Sequence, residues 1–208
     1  MIANSDVKDR ILLEAARLFA RNGIKSVSMD DIAQHLGVSK KTIYKWFQNK
    51  DEIVHSALQN QLSQVENDCE CAMVEAENAV DELFQVMTVN KKVLSEIHPS
   101  IFYDLQKYHP ASWQLWLAHR NSFILSKIVS NLGRGIREGL YRQDLDMELM
   151  ARLRLALIDL AFSPDLFPPE QFHPERVQSA FFEHFLLGIA TLKGHKLINK
   201  YKHVTEEE

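Results

Sequence analysis

The stretch from Met29 to Phe47 reads MDDIAQHLGVSKKTIYKWF and holds two short helical patterns joined by Leu36-Gly37-Val38-Ser39. Helices that cross steeply over so short a turn impose three demands on a sequence. A small residue must sit where the helices approach, and Ala33 does. A residue tolerant of positive φ must sit in the turn, and Gly37 is there. An apolar residue of the second helix must close the small core. Ile43 fills that place, with Val38 and Phe47 beside it. Together these specify a helix-turn-helix; no one of them does so alone.

Outward from this stretch the pattern stays helical. Ile11, Ala15, Leu18 and Phe19 form one stripe of a helix over about 6–22, stopped by Asn22-Gly23. Ser28, with Asp31 three residues on, opens the next helix at 29–36 as a capping box. Ser39 caps a helix at 40–46, and Asn49 to Glu52 starts a long one. The series Ile53, Ala57, Leu62, Val65, Cys69, Met73, Ala76, Val80 carries that helix far into the chain. Further helices are expected near 81–97, 100–107, 111–138, 146–162 and 174–194, with the proline-rich loop SPDLFPPEQFHP (163–174) between the last two. Alternating β patterns are scarce, and the terminal Glu206–Glu208 is the only low-complexity tract. The expected fold is all-α, about nine helices: a three-helix helix-turn-helix head over residues 1–50 and a helical bundle over 51–208.

Composition fits this reading. Of 208 residues, 46% are apolar and 25% charged, which excludes collagen-like, disordered and membrane classes. No apolar run is long enough for a transmembrane helix, and Asp6, Lys8, Asp9 and Arg10 stand where a signal peptide needs apolar residues. Cys69 and Cys71 face different ways on a helix, so two free thiols in a reducing cytoplasm are expected. The net charge of −4 is uneven: residues 1–55 hold 9 Lys+Arg against 7 Asp+Glu, and residues 56–208 hold 15 against 21. A locally basic segment on an acidic body points to a polyanion-binding head.

The basic residues lie where DNA docking needs them. Lys40, Lys41 and Lys45 neutralise phosphates, and a lysine at the helix start reaches guanine in the major groove. Thr42 and Tyr44 offer hydroxyls to phosphate oxygens, as does Ser28. Lys50, at the start of the long helix, is expected to clamp a phosphate. Trp46 either packs or touches the DNA backbone. Without the Ala33–Gly37–Ile43 frame, these lysines would be an ordinary solvated face.

Residues 7–58 resemble the DNA-binding domain of the tetracycline-repressor (TetR) family. Phe19, Gly23, Ser28, Ile32, Ala33, Leu36, Gly37, Val38, Ser39, Thr42, Ile43, Tyr44, Phe47 and Lys50 fill the family's motif positions, over about a quarter of the chain. Val54 stands where leucine is common, and Trp46 where histidine or tyrosine is. The resemblance places Ser39 among the DNA-contacting residues. It implies a bacterial homodimeric regulator, usually a repressor, released from a double-stranded operator by a small ligand in the body.

In the body, Met73, Phe84, Met87, Phe102, Tyr103, Trp113, Trp116, His119 and Phe123 are candidates for lining a ligand pocket, although residues at such spacing are more often plain core. MELMARLRLALIDLAF (147–162) is apolar nearly all round its second half and must be covered on every side. With the stripe Val177, Phe181, His184, Phe185, Gly188, Leu192 it forms the expected dimer interface, Leu153, Leu157, Phe181, Phe185, Gly188 and Leu192. Gly188 is expected to allow close approach of another helix. The tail 193–203 reads as a solvated end, and the GxG at Gly133–Gly135 follows a helix, so it is no phosphate loop.

Neither a catalytic nor a metal constellation is complete. E-x-x-H occurs at Glu52–His55 and Glu170–His173, without the further inward glutamates of a di-iron bundle. No histidine pair has helical zinc spacing, and no G-x-S-x-G or P-loop is present. The expectation is therefore a non-enzyme without cofactor. A dimer whose body recruits a protein rather than a small molecule is the alternative, and a di-iron bundle enzyme is a more distant one.

Overall fold

The computed structural model describes residues 4–168 and 170–203. The acidic tract Glu206–Glu208 lies outside the described residues. The described chain is helical: α1 (Asn4–Asn22), α2 (Met29–Leu36), α3 (Lys40–Tyr44), α4 (Lys50–Glu75), α5 (Ala79–Glu96), α6 (Ile101–Tyr108), α7 (Pro110–His119), α8 (Leu125–Arg137), α9 (Met147–Leu160), α10 (Pro174–Ile189) and α11 (Leu192–Lys202). A π-helical turn, Arg120–Ile124, joins α7 to α8 without a break. The one non-helical pairing among the described residues is an isolated antiparallel bridge, Tyr141 with Ala190.

The chain forms two compact units: residues 1–64 with 96–118, and residues 65–95 with 119–208. Compactness thus does not change at residue 50. Helix α4 runs through the division, and the segment 96–118 packs with the head. His98 N–H donates to the Ala20 carbonyl at 2.6 Å, and Lys25 N–H donates to Asp104 Oδ2 at 2.9 Å. Asp104 is buried at the start of α6, where it also accepts from Ser100 Oγ.

The core of the first unit joins Ile11, Ala15 and Phe19 of α1 to Ile32, Ala33 and Leu36 of α2, with Ile43, Phe47 and Ile53. The second unit packs Ala79, Val80 and Met87 against Leu132, Tyr141, Phe182, Phe185, Leu186 and Ile198. Tyr141 is fully buried, and its hydroxyl reaches the Ala79 carbonyl and Asn131 Oδ1, each at 3.1 Å. A buried hydroxyl left without a partner would be costly, so this network fixes one arrangement of the core.

Three sequence expectations change. The long apolar series does not continue to Val80 on one helix, because Asn78 caps a new one. Its Oδ1 accepts from Val80 N and Asp81 N, each at 3.0 Å. The expected helix 174–194 is two helices. Ala190 is extended, bridges Tyr141, and hands over to Thr191, whose hydroxyl accepts from Gly194 N at 3.1 Å. The tail 193–203 is therefore the helix α11 rather than a loose end. Gly194 and Ile198 are buried, and a Cβ on Gly194 would run into the Leu140 carbonyl.

Candidate nucleic-acid interface

The head is built from caps outward. Ser28 Oγ accepts from Asp31 N at 3.2 Å, and Asp31 Oδ2 accepts from Ser28 N at 2.7 Å, so the capping box is complete. These bonds to Ser28 hold the Asp31 carboxyl below the usual carboxylate range. Helix α2 ends on Gly37 at φ 66°, a left-handed residue whose N–H closes on the carbonyls of Ala33 and Gln34. Ser39 Oγ then accepts from Thr42 N at 3.2 Å and opens α3. Ile43 is fully buried and seats α3 on the head. Its carbonyl accepts from the N–H groups of Trp46 and Phe47, so the chain stays turned past Tyr44, where α3 ends.

This seating sorts the expected DNA contacts into three groups. Lys41, Tyr44 and Lys45 are exposed, and neither lysine has an acidic partner among the described residues. Lys40 is exposed but paired with Asp30 Oδ2 at 2.7 Å, which raises its pKa. Ser39 and Thr42 share a hydroxyl contact of 3.0 Å, and the Ser28 hydroxyl donates to Asp31 Oδ2 at 2.6 Å. Trp46 is half-buried against the head core. Lys50 points inward: its Nζ donates to the Ile24 carbonyl and lies 5.8 Å from the Phe19 ring centroid. Burial pushes the Lys50 pKa down. The expected phosphate clamp is therefore engaged inside the head, because its aliphatic stem spans from α4 to the α1–α2 turn. Lys8, not singled out by the motif, lies 5.6 Å from the Phe47 ring centroid and is exposed beside this surface.

The expected pocket residues divide between the units. Phe102, Tyr103, Trp113 and Trp116 belong to the first unit, because the 96–118 segment folds with the head. There Phe102 and Trp116 pack edge to face at 5.0 Å, and Tyr103 accepts from Lys107 Nζ at 2.6 Å. In the second unit, His119 pairs with Glu66 Oε1 at 2.8 Å and stacks on Phe123 at 5.4 Å, and Met73 is half-buried on α4. Of the nine, Phe84 and Met87 line a cavity of about 190 Å³, with Phe182, Leu186 and Ile198 as further apolar walls and Lys91 and Lys202 at its edge. Among the described residues, no three His, Cys, Asp or Glu side chains are grouped to hold a metal ion. No described helix is long and apolar enough to cross a membrane.

The expected dimer stripe also divides. Leu153 is 45% exposed on α9, with Leu149 at 58% and Ala156 exposed on the same side. Ala180, His184 and Gly188 are exposed along α10, and Phe181 and Leu157 are half-buried. Phe185 instead faces the unit's own core. Leu192 is exposed but starts α11, because α10 ends at Ile189.

A five-residue helix seated by Ile43 behind a left-handed glycine turn, with exposed cations outward, has the arrangement of a helix-turn-helix. Residues 11–57 match the family described as "Bacterial regulatory proteins, tetR family". The chain is 24% identical over 185 residues to the HTH-type transcriptional regulator YvaF of Bacillus subtilis, covering 86% of this chain and 94% of that one. It is 25% identical over 148 residues to the HTH-type transcriptional repressor KstR2 of Mycolicibacterium smegmatis, covering 70% and 72%. The fold is shared with KstR2 of Mycobacterium tuberculosis (TM-score 0.63, 21% identity, 92% and 97% covered). It is shared too with a Saccharomonospora viridis regulator in complex with choline (TM-score 0.72, 21% identity, 90% and 100% covered). The chain is thus similar to the TetR family of transcriptional regulators, by sequence over residues 11–57 and by fold over most of its length.

Proposed function

We propose that the protein is a cytoplasmic, homodimeric repressor that binds a near-palindromic operator and is released by a small molecule held in its second unit. The observation that carries this reading is the Lys41–Tyr44–Lys45 ridge, solvated and free of acidic partners on the outer side of α3. Residues at the start of α3, Ser39 to Thr42, approach base edges, and the lysines and Tyr44 meet phosphates. Lys50 and Ser28 reach phosphate only after leaving their present partners.

The apolar sides of α9 and α10 support the dimer. Leu149, Leu153, Ala156, Ala180 and Gly188 leave a contiguous pattern on two helices that a second copy covers as a four-helix interface. A two-fold dimer also presents two α3 helices to half-sites on one duplex. Small-molecule release draws support from the cavity beside Phe84 and Met87 and from the choline complex of a protein with this fold. Helix α4, which carries residues of both units, is the lever in this reading. The ligand must favour the non-binding arrangement by a few kcal/mol, and operator binding then weakens ligand binding equally. These roles divide the chain functionally at residue 50 and leave no part for an enzyme active site.

Selection of bound fragments from random duplex DNA tests the head, the dimer symmetry and the half-site spacing together. The expected product is an inverted repeat; recovery of no sequence preference overturns the reading. For the interface, Gly188→Leu should convert the dimer to monomer in sedimentation. A Cβ at Gly188 meets nothing within 4 Å in its own chain, so the protomer itself should stay folded. A variant that sediments as an unaltered dimer removes Gly188 from the interface.

A further inference from the structure

In the second unit one buried guanidinium nitrogen has no acceptor among the described residues. The arginines Arg120, Arg134 and Arg152 each hold a carboxylate, from Asp159, from Glu82 and Glu138, and from Glu148. Arg154, on α9, has no hydrogen bond or ion pair among the described residues, and its Nη1 is buried without an acceptor. Its guanidinium lies over two rings of α10, with Cζ 5.8 Å from the Phe182 centroid and 6.0 Å from that of Phe185. Burial alone pushes its pKa down to about 10, so it keeps its charge at neutral pH. Guanidinium carries five N–H donors and no acceptor, and an aromatic face offsets part of the charge without satisfying those donors. A charge buried in this way is normally paired, and an unpaired one is destabilising.

We infer that Arg154 receives the carboxylate of a small organic acid with an apolar body, and that this acid is the effector held by the second unit. The effector half of the statement rests on the function proposed above. Three observations select the ligand class. The guanidinium fork matches a carboxylate through two parallel N–H···O bonds. One buried cation neutralises one negative charge, whereas a phosphate monoester carries close to two at neutral pH and would leave one uncompensated. The surroundings of the guanidinium are the rings of Phe182 and Phe185, so the rest of the molecule meets apolar surface there; Phe182 is also a wall of the cavity that Phe84, Met87, Leu186 and Glu183 line, although Arg154 itself does not line it. The position also selects a small molecule over a second protein chain. Phe182 and Phe185 are on the buried side of α10, whereas Ala180, His184 and Gly188 are on its uncovered side.

The test uses the full chain, its Arg154→Met variant, which removes charge and fork but keeps apolar bulk, and Arg154→Lys, which keeps charge without the fork. The probes are hexanoate, octanoate and 3-phenylpropanoate, their neutral amides, and octyl phosphate, followed by calorimetry and thermal unfolding. At least one carboxylate should bind the unaltered protein about tenfold or more tightly than its amide, and Arg154→Met should lose about that factor. Arg154→Lys should retain only part of the affinity. Without ligand, Arg154→Met should melt at the same temperature or higher, since it removes an uncompensated charge. Four results overturn the inference: no carboxylate binds at millimolar concentration, amides bind as well as acids, octyl phosphate binds best, or ligand-free Arg154→Met melts several degrees lower. Operator release measured in the same samples separates the two readings. Carboxylate binding through Arg154 with the operator complex undisturbed upholds the site and overturns its role as effector site. Release by a neutral compound from both proteins upholds effector control and overturns the assignment to Arg154.

Discussion

Lys41 on α3, Lys45 just past its end and Arg154 on α9 are all cations without an acidic partner among the described residues, yet they stand in different surroundings. The two lysines are exposed, so water satisfies their donors and the free protein bears no penalty. Their attraction for a polyanion is spread along the surface and screened by salt. Arg154 is half-buried, and its Nη1 is closed off from solvent with no acceptor among the described residues, so that donor demands a specific partner at short range. In the proposed reading, one chemical feature serves sequence-tolerant docking where it is hydrated and a demand for one particular group where it is not.

The largest effect that tests the hydrated side comes from reversing it. Lys41→Glu with Lys45→Glu should weaken duplex binding about a hundredfold or more at moderate ionic strength, without shifting the melting temperature. Fluorescence anisotropy against salt measures the loss, and an unchanged affinity breaks the comparison at its first term. Next comes the turn that aims the ridge. A Cβ at Gly37 meets nothing within 4 Å, so Gly37→Ala should cost only the left-handed backbone, about 1–2 kcal/mol. Gly37→Asn should cost less, because asparagine tolerates that region, and denaturant titration distinguishes the two.

A finer contrast lies within α3. Lys45→Ala should lower affinity about tenfold and flatten the salt dependence by about one ion per head. Lys40→Ala should do less, because Lys40 is already paired with Asp30 in the free protein. Equal losses would mean that the Asp30 pair opens on DNA. The smallest test repeats the contrast with thiols. Cys71 is exposed, whereas burial pushes the Cys69 thiol up to about 11. Only the thiolate is nucleophilic, so at pH 8 a disulfide reagent should label Cys71 promptly and Cys69 only on unfolding. Prompt labelling of both would mean that the α4 surface around Cys69 opens to solvent.

The head was legible because its determinants are local. Ser28, Gly37 and Ser39 act on atoms within four or five residues of themselves, and Ile43 closes a core whose members recur at helical spacing. Helix boundaries failed where the signal was unusual. Asn78 started α5 without a nearby glycine or proline, and the Tyr141–Ala190 bridge ended α10 through a partner 49 positions away, counting from 141 to 190. The present partner of Lys50 was hidden for a related reason. The lysine's place at a helix start favoured phosphate, but the Ile24 carbonyl lay within reach of its long side chain.

From the chain of residues alone came an all-helical molecule, a glycine-hinged reading head and the cationic ridge on α3, because backbone conformation and helical facing depend on neighbours in sequence. Tertiary structure decided that 96–118 joins the head, that α11 closes against Leu140, that Phe185 faces inward and that Arg154 has no counter-ion among the described residues. Burial and charge pairing are properties of which distant segments meet, and no local pattern around Arg154 records that its neighbours are Phe182 and Phe185.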